Sequence, residues 1–189
     1  MNLKERKRQM RREIKARVAR LDGAYCRKAD RSIFKHIIGL PEYRQAQRIF
    51  CFVGTQAEID TAPIIEDALS KGKIVGVPRC VDKGIMNVCR IESLKGLEMG
   101  QYGILEPGEE AAILLPEEID FAVVPCLSCS STGKRLGYGG GYYDRYLAGT
   151  GAFKAVICRA QIMEEDIPWE SHDVVMNAVV SECGVLRIR

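Results

Sequence analysis

The sequence predicts an α/β fold, a mainly parallel sheet with helices on both faces, and three observations carry that expectation. Four short runs, "IFCFVG" (49–54), "IVGVPRC" (74–80), "FAVVPCL" (121–127) and "FKAVICR" (153–159), are almost continuously apolar. Strands buried on both faces read this way, whereas a half-solvated sheet would alternate. Helical or turn segments separate the runs, so the order β-α-β recurs. The chain also opens on a basic segment whose apolar residues fall at helical spacing. At 189 residues, with no repeat, low-complexity tract or linker, residues 1–189 are expected to form one domain, a Rossmann-like three-layer sandwich.

The first expected helix covers residues 3 to about 21. Leu3, Met10, Ile14, Val18 and Leu21 lie within about 80° of arc on such a helix. Lys7 projects inside that arc, between Ile14 and Val18, and Arg11 follows one turn later at its edge. The other basic residues mostly fan out towards solvent. A lysine in an apolar stripe either snorkels out of the core or is there to meet an anion. The stretch Asp30–Ile38 reads as helix again. "DTAPIIEDALSKG" (60–72) starts at an N-cap, Asp60 or Thr61, and stops at Gly72. "NVCRI" (87–91) and the tail "NAVVSECGVLRIR" (177–189) add strands. "LEPGEEAAILLPEE" (105–118) reads as a surface connection with a short helix or irregular turn.

The net charge of +3 hides an asymmetry. Residues 1–20 hold nine Lys or Arg against two Glu, a net of +7, so the remaining 169 carry −4. Such a segment can be a solvated helix face, a nucleic-acid arm or a transit peptide. Transit peptides are Ser-rich and acid-poor; this one has no Ser and contains Glu5 and Glu13. Nucleic-acid binding is disfavoured by the lack of interleaved aromatics and the acidic remainder. No apolar run approaches the ~20 residues of a membrane span. The eight cysteines (26, 51, 80, 89, 126, 129, 158 and 183) mostly sit in apolar runs of a chain long enough to need no disulfides. Free thiols in a reducing cytoplasm are expected, with no membrane or nucleic-acid partner.

In parallel sheets, ligands bind beyond the carboxyl ends of the strands, which directs attention to the loops after 54, 80, 127 and 159. The loop after 127 leads into "RLGYGGGYYDRYL" (135–147), with glycines at 137, 139, 140 and 141. Strand, glycine loop and helix together can present bare N–H groups and a helix N-terminus to a phosphate. Lys134 and Arg135 add full charges. The alternative is a tight turn that lets the helix pack closely on the sheet. The spacing matches neither a Walker A loop nor a dinucleotide fingerprint. Just upstream, Cys126 and Cys129 form a Cys-x-x-Cys, a redox pair or half of a zinc site. Zinc would need two more ligands at clear spacing, and none appears in the sequence.

The full string is more specific than its glycines. It resembles the signature of the 5-formyltetrahydrofolate cyclo-ligase (5,10-methenyltetrahydrofolate synthetase) family, Arg-Leu-Gly-x-Gly-x-Gly-Tyr-Tyr-Asp, and matches it at every position. The resemblance extends over nearly the whole chain, through Lys7-x-x-x-Arg11, "QAEIDT" (56–61), "VPR" (77–79), "RIES" (90–93) and "HD" (172–173). It implies an enzyme that uses ATP and Mg²⁺ to cyclise 5-formyltetrahydrofolate to 5,10-methenyltetrahydrofolate. The formyl oxygen takes the γ-phosphoryl group, N10 attacks the activated carbon, and phosphate leaves.

The resemblance also implies roles. Lys7, Arg11 and the loop residues Arg135, Leu136, Gly137, Tyr138, Gly139, Gly140, Gly141, Tyr142 and Tyr143 would bind ATP. Glu58 would contact the pterin in a pocket lined by Val53, with Tyr138 and Tyr142 stacking on or enclosing the folate. Asp144 and Asp173 would be Mg²⁺ ligands. Each has a plainer reading: Glu58 as a solvated loop acid, Asp144 as complement to a helix dipole, Asp173 as a turn residue. His172 reads as structural. A monomer is expected. One departure stands out: the family's Pro-Gly and following Phe-Asp before the glycine loop are replaced by Pro125-Cys126-Leu127-Ser128-Cys129-Ser130. A folate- or nucleotide-binding protein without turnover is therefore the alternative function.

Overall fold

The computed structural model describes residues 2–188, the side chain of Gln101 excepted. Helix α1 (Leu3–Val18) starts at a reciprocal cap: Asn2 Oδ1 accepts from Glu5 N and Glu5 Oε2 accepts from Asn2 N. It ends three residues earlier than its apolar stripe, yet Met10, Ile14, Val18 and Leu21 all pack on the sheet. Helix α2 (Gly23–Gly39) begins at Asp22, which accepts from Tyr25 N, and so runs well ahead of the 30–38 stretch. A five-residue helix α3 (Pro41–Gln45) follows, placing Tyr43 in the core.

Strand β1 (Arg48–Cys51) buries Ile49 and Cys51 on one face and Phe50 on the other. Helix α4 (Ala62–Ser70) has Thr61 at its N-cap position, but the hydroxyl donates back to Phe52 O at 2.6 Å. Asp60 Oδ1 takes the free Ala62 N instead, and the helix stops at Gly72. Strands β2 (Ile74–Asp82) and β3 (Ile85–Ile91) form an antiparallel hairpin. Its turn places Gly84 at φ +76°, a left-handed conformation that disfavours any Cβ.

The 105–118 segment is more ordered than a surface connection. β4 (Glu98–Met99) pairs with β5 (Leu105–Glu106), and β6 (Ile113–Leu114) adds to the sheet edge beside β3. After β7 (Phe121–Val124), a small hairpin of β8 (Ser128–Cys129) and β9 (Arg135–Leu136) leads through the glycines to α5 (Tyr142–Ala148). The chain closes with β10 (Phe153–Ile157), β11 (Ala178–Ser181) and β12 (Gly184–Arg187).

The sheet order is β12-β11-β10-β7-β1-β2-β3-β6. The five central strands β11, β10, β7, β1 and β2 are parallel, and antiparallel strands finish each edge. One face is covered by α2, α3 and α4 through Ile33, Tyr43 and Ile65. The other is covered by α1 and α5 through Ile14 and Leu147. The expected three-layer α/β sandwich is thus present. Its parallel strands deliver the loops after β1, β7 and β10 to one end.

Candidate active site

The β8–β9 hairpin carries Arg135 to the carboxyl end of β7. Main-chain bonds from Leu127 N to Leu136 O (2.8 Å) and from Ser130 N to Lys134 O (2.9 Å) fix that hairpin. The Arg135 side chain is almost fully buried. It donates to Pro125 O at 3.2 Å, pairs with Asp144 at 2.7 Å and lies over the Tyr143 ring. Tyr143 in turn stacks on Phe50, ring centroids 5.7 Å apart. Among the described residues, Arg135 Nε is buried with no hydrogen-bond partner, an N–H group of the kind that is costly to leave unmatched. Gly139 (φ +104°) and Gly141 (φ +70°) take backbone conformations open chiefly to glycine, so they let the loop turn over Arg135 into α5.

Helix α1 brings its cations to the same place. Lys7 Nζ lies 2.6 Å from Asp173 and 2.8 Å from Glu170. Burial disfavours its charge, but the two carboxylates outweigh burial and raise its pKa. Arg11 Nε donates to Gly137 O at 2.8 Å. Val174 N donates to Asp144 Oδ1 at 3.3 Å, tying the Asp173 segment to the glycine loop. Three remote pieces of chain therefore meet: α1, the β8–β9 hairpin with the glycine loop that continues it, and residues 170–174. Arg145 adds a further tie, its Nη1 donating to Gly84 O at 2.9 Å and Gly140 O at 3.0 Å.

Beside this cluster a cleft of about 750 Å³ opens between the α1–α2 turn and the β1–α4 loop. Glu58 lines it, its Oε2 accepting from Thr55 N (3.0 Å) and Thr55 Oγ1 (2.8 Å). Arg159, at the end of β10, grips both oxygens of Asp30 at 2.8 and 2.9 Å and donates to Glu58 O at 2.8 Å. Such bidentate pairs orient as well as bind. Tyr138 faces the Glu58 carboxylate; desolvation, then that negative charge, push its phenol well up.

The structure thus unites Lys7, Arg11, Arg135, Gly137, Gly139, Asp144 and Asp173 in one cluster, and Glu58 with Tyr138. Other expected residues take different parts. Leu136 and Tyr143 point into the core, leaving the loop only their main chain. Val53 packs half-buried against the core rather than lining the cleft. Tyr142 Oη bonds to Tyr102 Oη at 3.0 Å. His172 is exposed. Glu170, Arg159, Asp30 and Arg145 escaped sequence reading. Glu170 stood two residues before the "HD" at 172–173 and Arg159 at the end of the "FKAVICR" run; either position was a usable signal.

The Cys-x-x-Cys gains a third member. Cys158, directly after β10, brings its sulfur among those of Cys126 and Cys129, all three Sγ atoms within 4.8 Å of one another. The sequence reading, which found no further ligand, missed it. All eight cysteines are free thiols.

Fold and site define an α/β protein with a buried cation cluster under a glycine loop, next to an acid-lined cleft. A profile of the 5-formyltetrahydrofolate cyclo-ligase family matches residues 3–182. The 5-formyltetrahydrofolate cyclo-ligase of Haemophilus influenzae is 32% identical over 150 residues, spanning 78% of this chain and 80% of its own. That of Mus musculus is 29% identical over 195 residues, 93% of each chain. The NMR structure of Aquifex aeolicus 5,10-methenyltetrahydrofolate synthetase matches with a TM-score of 0.86 at 27% identity, over 97% of this chain and 93% of that one. The chain belongs to the 5-formyltetrahydrofolate cyclo-ligase family.

Proposed function

We propose that this protein cyclises 5-formyltetrahydrofolate to 5,10-methenyltetrahydrofolate at the expense of ATP, releasing ADP and phosphate. Family membership supports the reaction. The observation that supports the assignment to these residues is the gathering of three cations beside the glycine loop, Arg11 on Gly137 O, Arg135 on Asp144 after the loop and Lys7 on Asp173 of the adjoining segment. Phosphoryl transfer asks a protein mainly for positioning and charge stabilisation, and three cations at a loop of exposed backbone supply both.

In this reading the formyl oxygen attacks the γ-phosphorus as the bond to ADP breaks. N10 then attacks the formyl carbon, the carbon–oxygen bond to phosphate breaks, and N10 loses its proton. Lys7, Arg11 and Arg135 hold the phosphates. The present carboxylate partners of Lys7 and Arg135, Asp173, Glu170 and Asp144, exchange for phosphate oxygens, as does the Gly137 carbonyl on Arg11. Glu58 receives the pterin's N–H donors at the cleft, and Tyr138 closes over the ring. Asp144 and Asp173 fit Mg²⁺, since both offer hard carboxylate oxygens on segments held together by the Val174–Asp144 bond. An ion bound there would neutralise charge on the phosphate oxygens. Helix α1 also spends part of its basic excess on surface ion pairs within the chain, Arg6 on Asp166 and Arg17 on Glu164. That favours a ligand-site role for the helix over a nucleic-acid arm.

The test is turnover of 5-formyltetrahydrofolate by purified protein, followed by the near-ultraviolet absorbance of the methenyl product. Product should form only with both ATP and Mg²⁺. Absence of turnover at high enzyme concentration, with calorimetry still showing folate or ATP binding, would transfer the chain to the binding-only alternative raised by its Cys126–Ser130 departure.

A further inference from the structure

We propose that Cys126, Cys129 and Cys158 form a binding site for one soft d¹⁰ metal ion at the carboxyl ends of β7 and β10. The topology places the ligands. β7 and β10 are parallel neighbours paired Val124↔Val156, so Cys126 and Cys158 continue the same register just beyond the strand ends. The β8–β9 hairpin folds Cys129 back onto them, and the three sulfurs meet within 4.8 Å. A metal–thiolate bond of about 2.3 Å needs sulfurs roughly 3.8 Å apart, a closure within reach of side-chain rotation. Cys129 and Cys158 are fully buried, and Cys126 is half-buried.

Donor chemistry selects the ion class. The set is all sulfur; no carboxylate or imidazole joins it among the described residues. Thiolates select copper(I) and zinc(II) over magnesium or calcium. Three donors in a largely dry site suit three-coordinate copper(I), whereas zinc(II) would need a water through the Cys126 side. On binding, each thiol loses its proton to solvent as its metal–sulfur bond forms, with no change of oxidation state. Two buried arginines neighbour the site along the chain: Arg135 is the hairpin partner of Cys129, and Arg159 follows Cys158. One arginine serves the glycine loop and the other holds the Glu58 loop. A disulfide between Cys126 and Cys129 would leave Cys158 unused, so the meeting of three sulfurs favours a metal.

The experiment titrates reduced, chelator-treated full-length protein with Cd²⁺, following the thiolate-to-metal charge-transfer band, then repeats it with Cu(I) and Zn²⁺ under competing chelators. One ion per chain is expected, with three sulfurs around it by X-ray absorption on wild-type protein. Cys158→Ser should weaken binding by roughly a hundredfold or more, while Cys183→Ser, an exposed thiol outside the cluster, leaves it unchanged. Tighter Cu(I) identifies the three-coordinate ion; tighter Zn²⁺ identifies the hydrated one. Fewer than three sulfurs in the wild-type spectrum, or binding that survives Cys158→Ser, overturns the site. The sulfur count needs no variant, so a misfolded mutant does not blunt the test.

Discussion

The two ends of the parallel sheet treat buried charge differently. At the amino ends, the buried and half-buried lysines bond to main chain: Lys73 donates to Arg44 O and Ala46 O, and Lys154 donates to Thr150 O and Ala152 O. At the carboxyl ends, charged side chains bond mostly to one another across remote segments: Lys7 to Asp173 and Glu170, Arg135 to Asp144, Arg159 to Asp30. The directions of the pKa shifts follow the contrast. Burial alone lowers the pKa of Lys154, and burial with the like charge of Lys71 lowers that of Lys73 despite Asp67 and Asp120 nearby. It fails to lower Lys7, where full negative charges prevail. A carbonyl of the fold cannot leave without unfolding, whereas a carboxylate on another segment can yield to a phosphate. The lysines at the amino ends are thus held by main chain, and Lys7 at the carboxyl ends by side chains of another segment.

The hardest test of that contrast is Lys7→Ala. Truncating one member of a desolvated charge pair costs about 2–5 kcal/mol, so kcat/KM for ATP should fall by two to three orders of magnitude while KM for the folate barely moves. Equal losses for both substrates would remove Lys7 from the phosphate site. The same pair separates the two ends by pH. Lys7, raised in the folded state, contributes stability that is complete below about pH 10.5 and lost as pH climbs through its folded value. Lys73, lowered, does the reverse and stabilises more as pH rises towards 10.5. Melting curves of Lys7→Met and Lys73→Met across pH 8–11 should diverge from wild type in opposite senses.

Asp144→Asn comes next. It leaves Arg135 buried without its carboxylate; the pair is partly solvent-exposed on the aspartate side, so the cost is about 2–3 kcal/mol in urea denaturation rather than the full value of a buried ion pair. More Mg²⁺ should also be needed for half-maximal rate. An unchanged metal requirement would confine Asp144 to a structural role. Lys73→Met should cost about 1–2 kcal/mol through the carbonyls it leaves unmatched and leave turnover intact. Arg6→Ala, which breaks an exposed pair with Asp166, should produce no measurable change in the denaturation midpoint.

The fold was legible where burial is two-sided. The runs at β1, β2, β7 and β10 announced themselves because both faces are covered, and the stripe of α1 because one face is. What stayed hidden was too short to show a period: α3 with five residues, and the two-residue strands β6, β8 and β9. The antiparallel β2–β3 pairing had a local signal in its Asp82-Lys83-Gly84 turn. In the site, Lys7 was legible as a charge out of place in an apolar arc. Its partner Glu170, and the pairing of Arg159 with Asp30 across 129 positions, belong to long-range packing that no local pattern encodes. The third thiol was hidden for the same reason: parallel register, rather than spacing, sets Cys158 beside Cys126.

The Gly84 turn has a consequence for anyone engineering this chain. By sequence it is a surface hairpin tip, the kind of place chosen for a tag or a randomised loop. In space, a Cβ at Gly84 would stand 2.0 Å from Arg145 Nη1, and that guanidinium also holds Gly140 O. Replacing Gly84 would add left-handed strain of about 1–2 kcal/mol and displace the clamp on the glycine loop. A library that spared residues 135–145 but varied this tip freely would thus damage the loop it set out to protect.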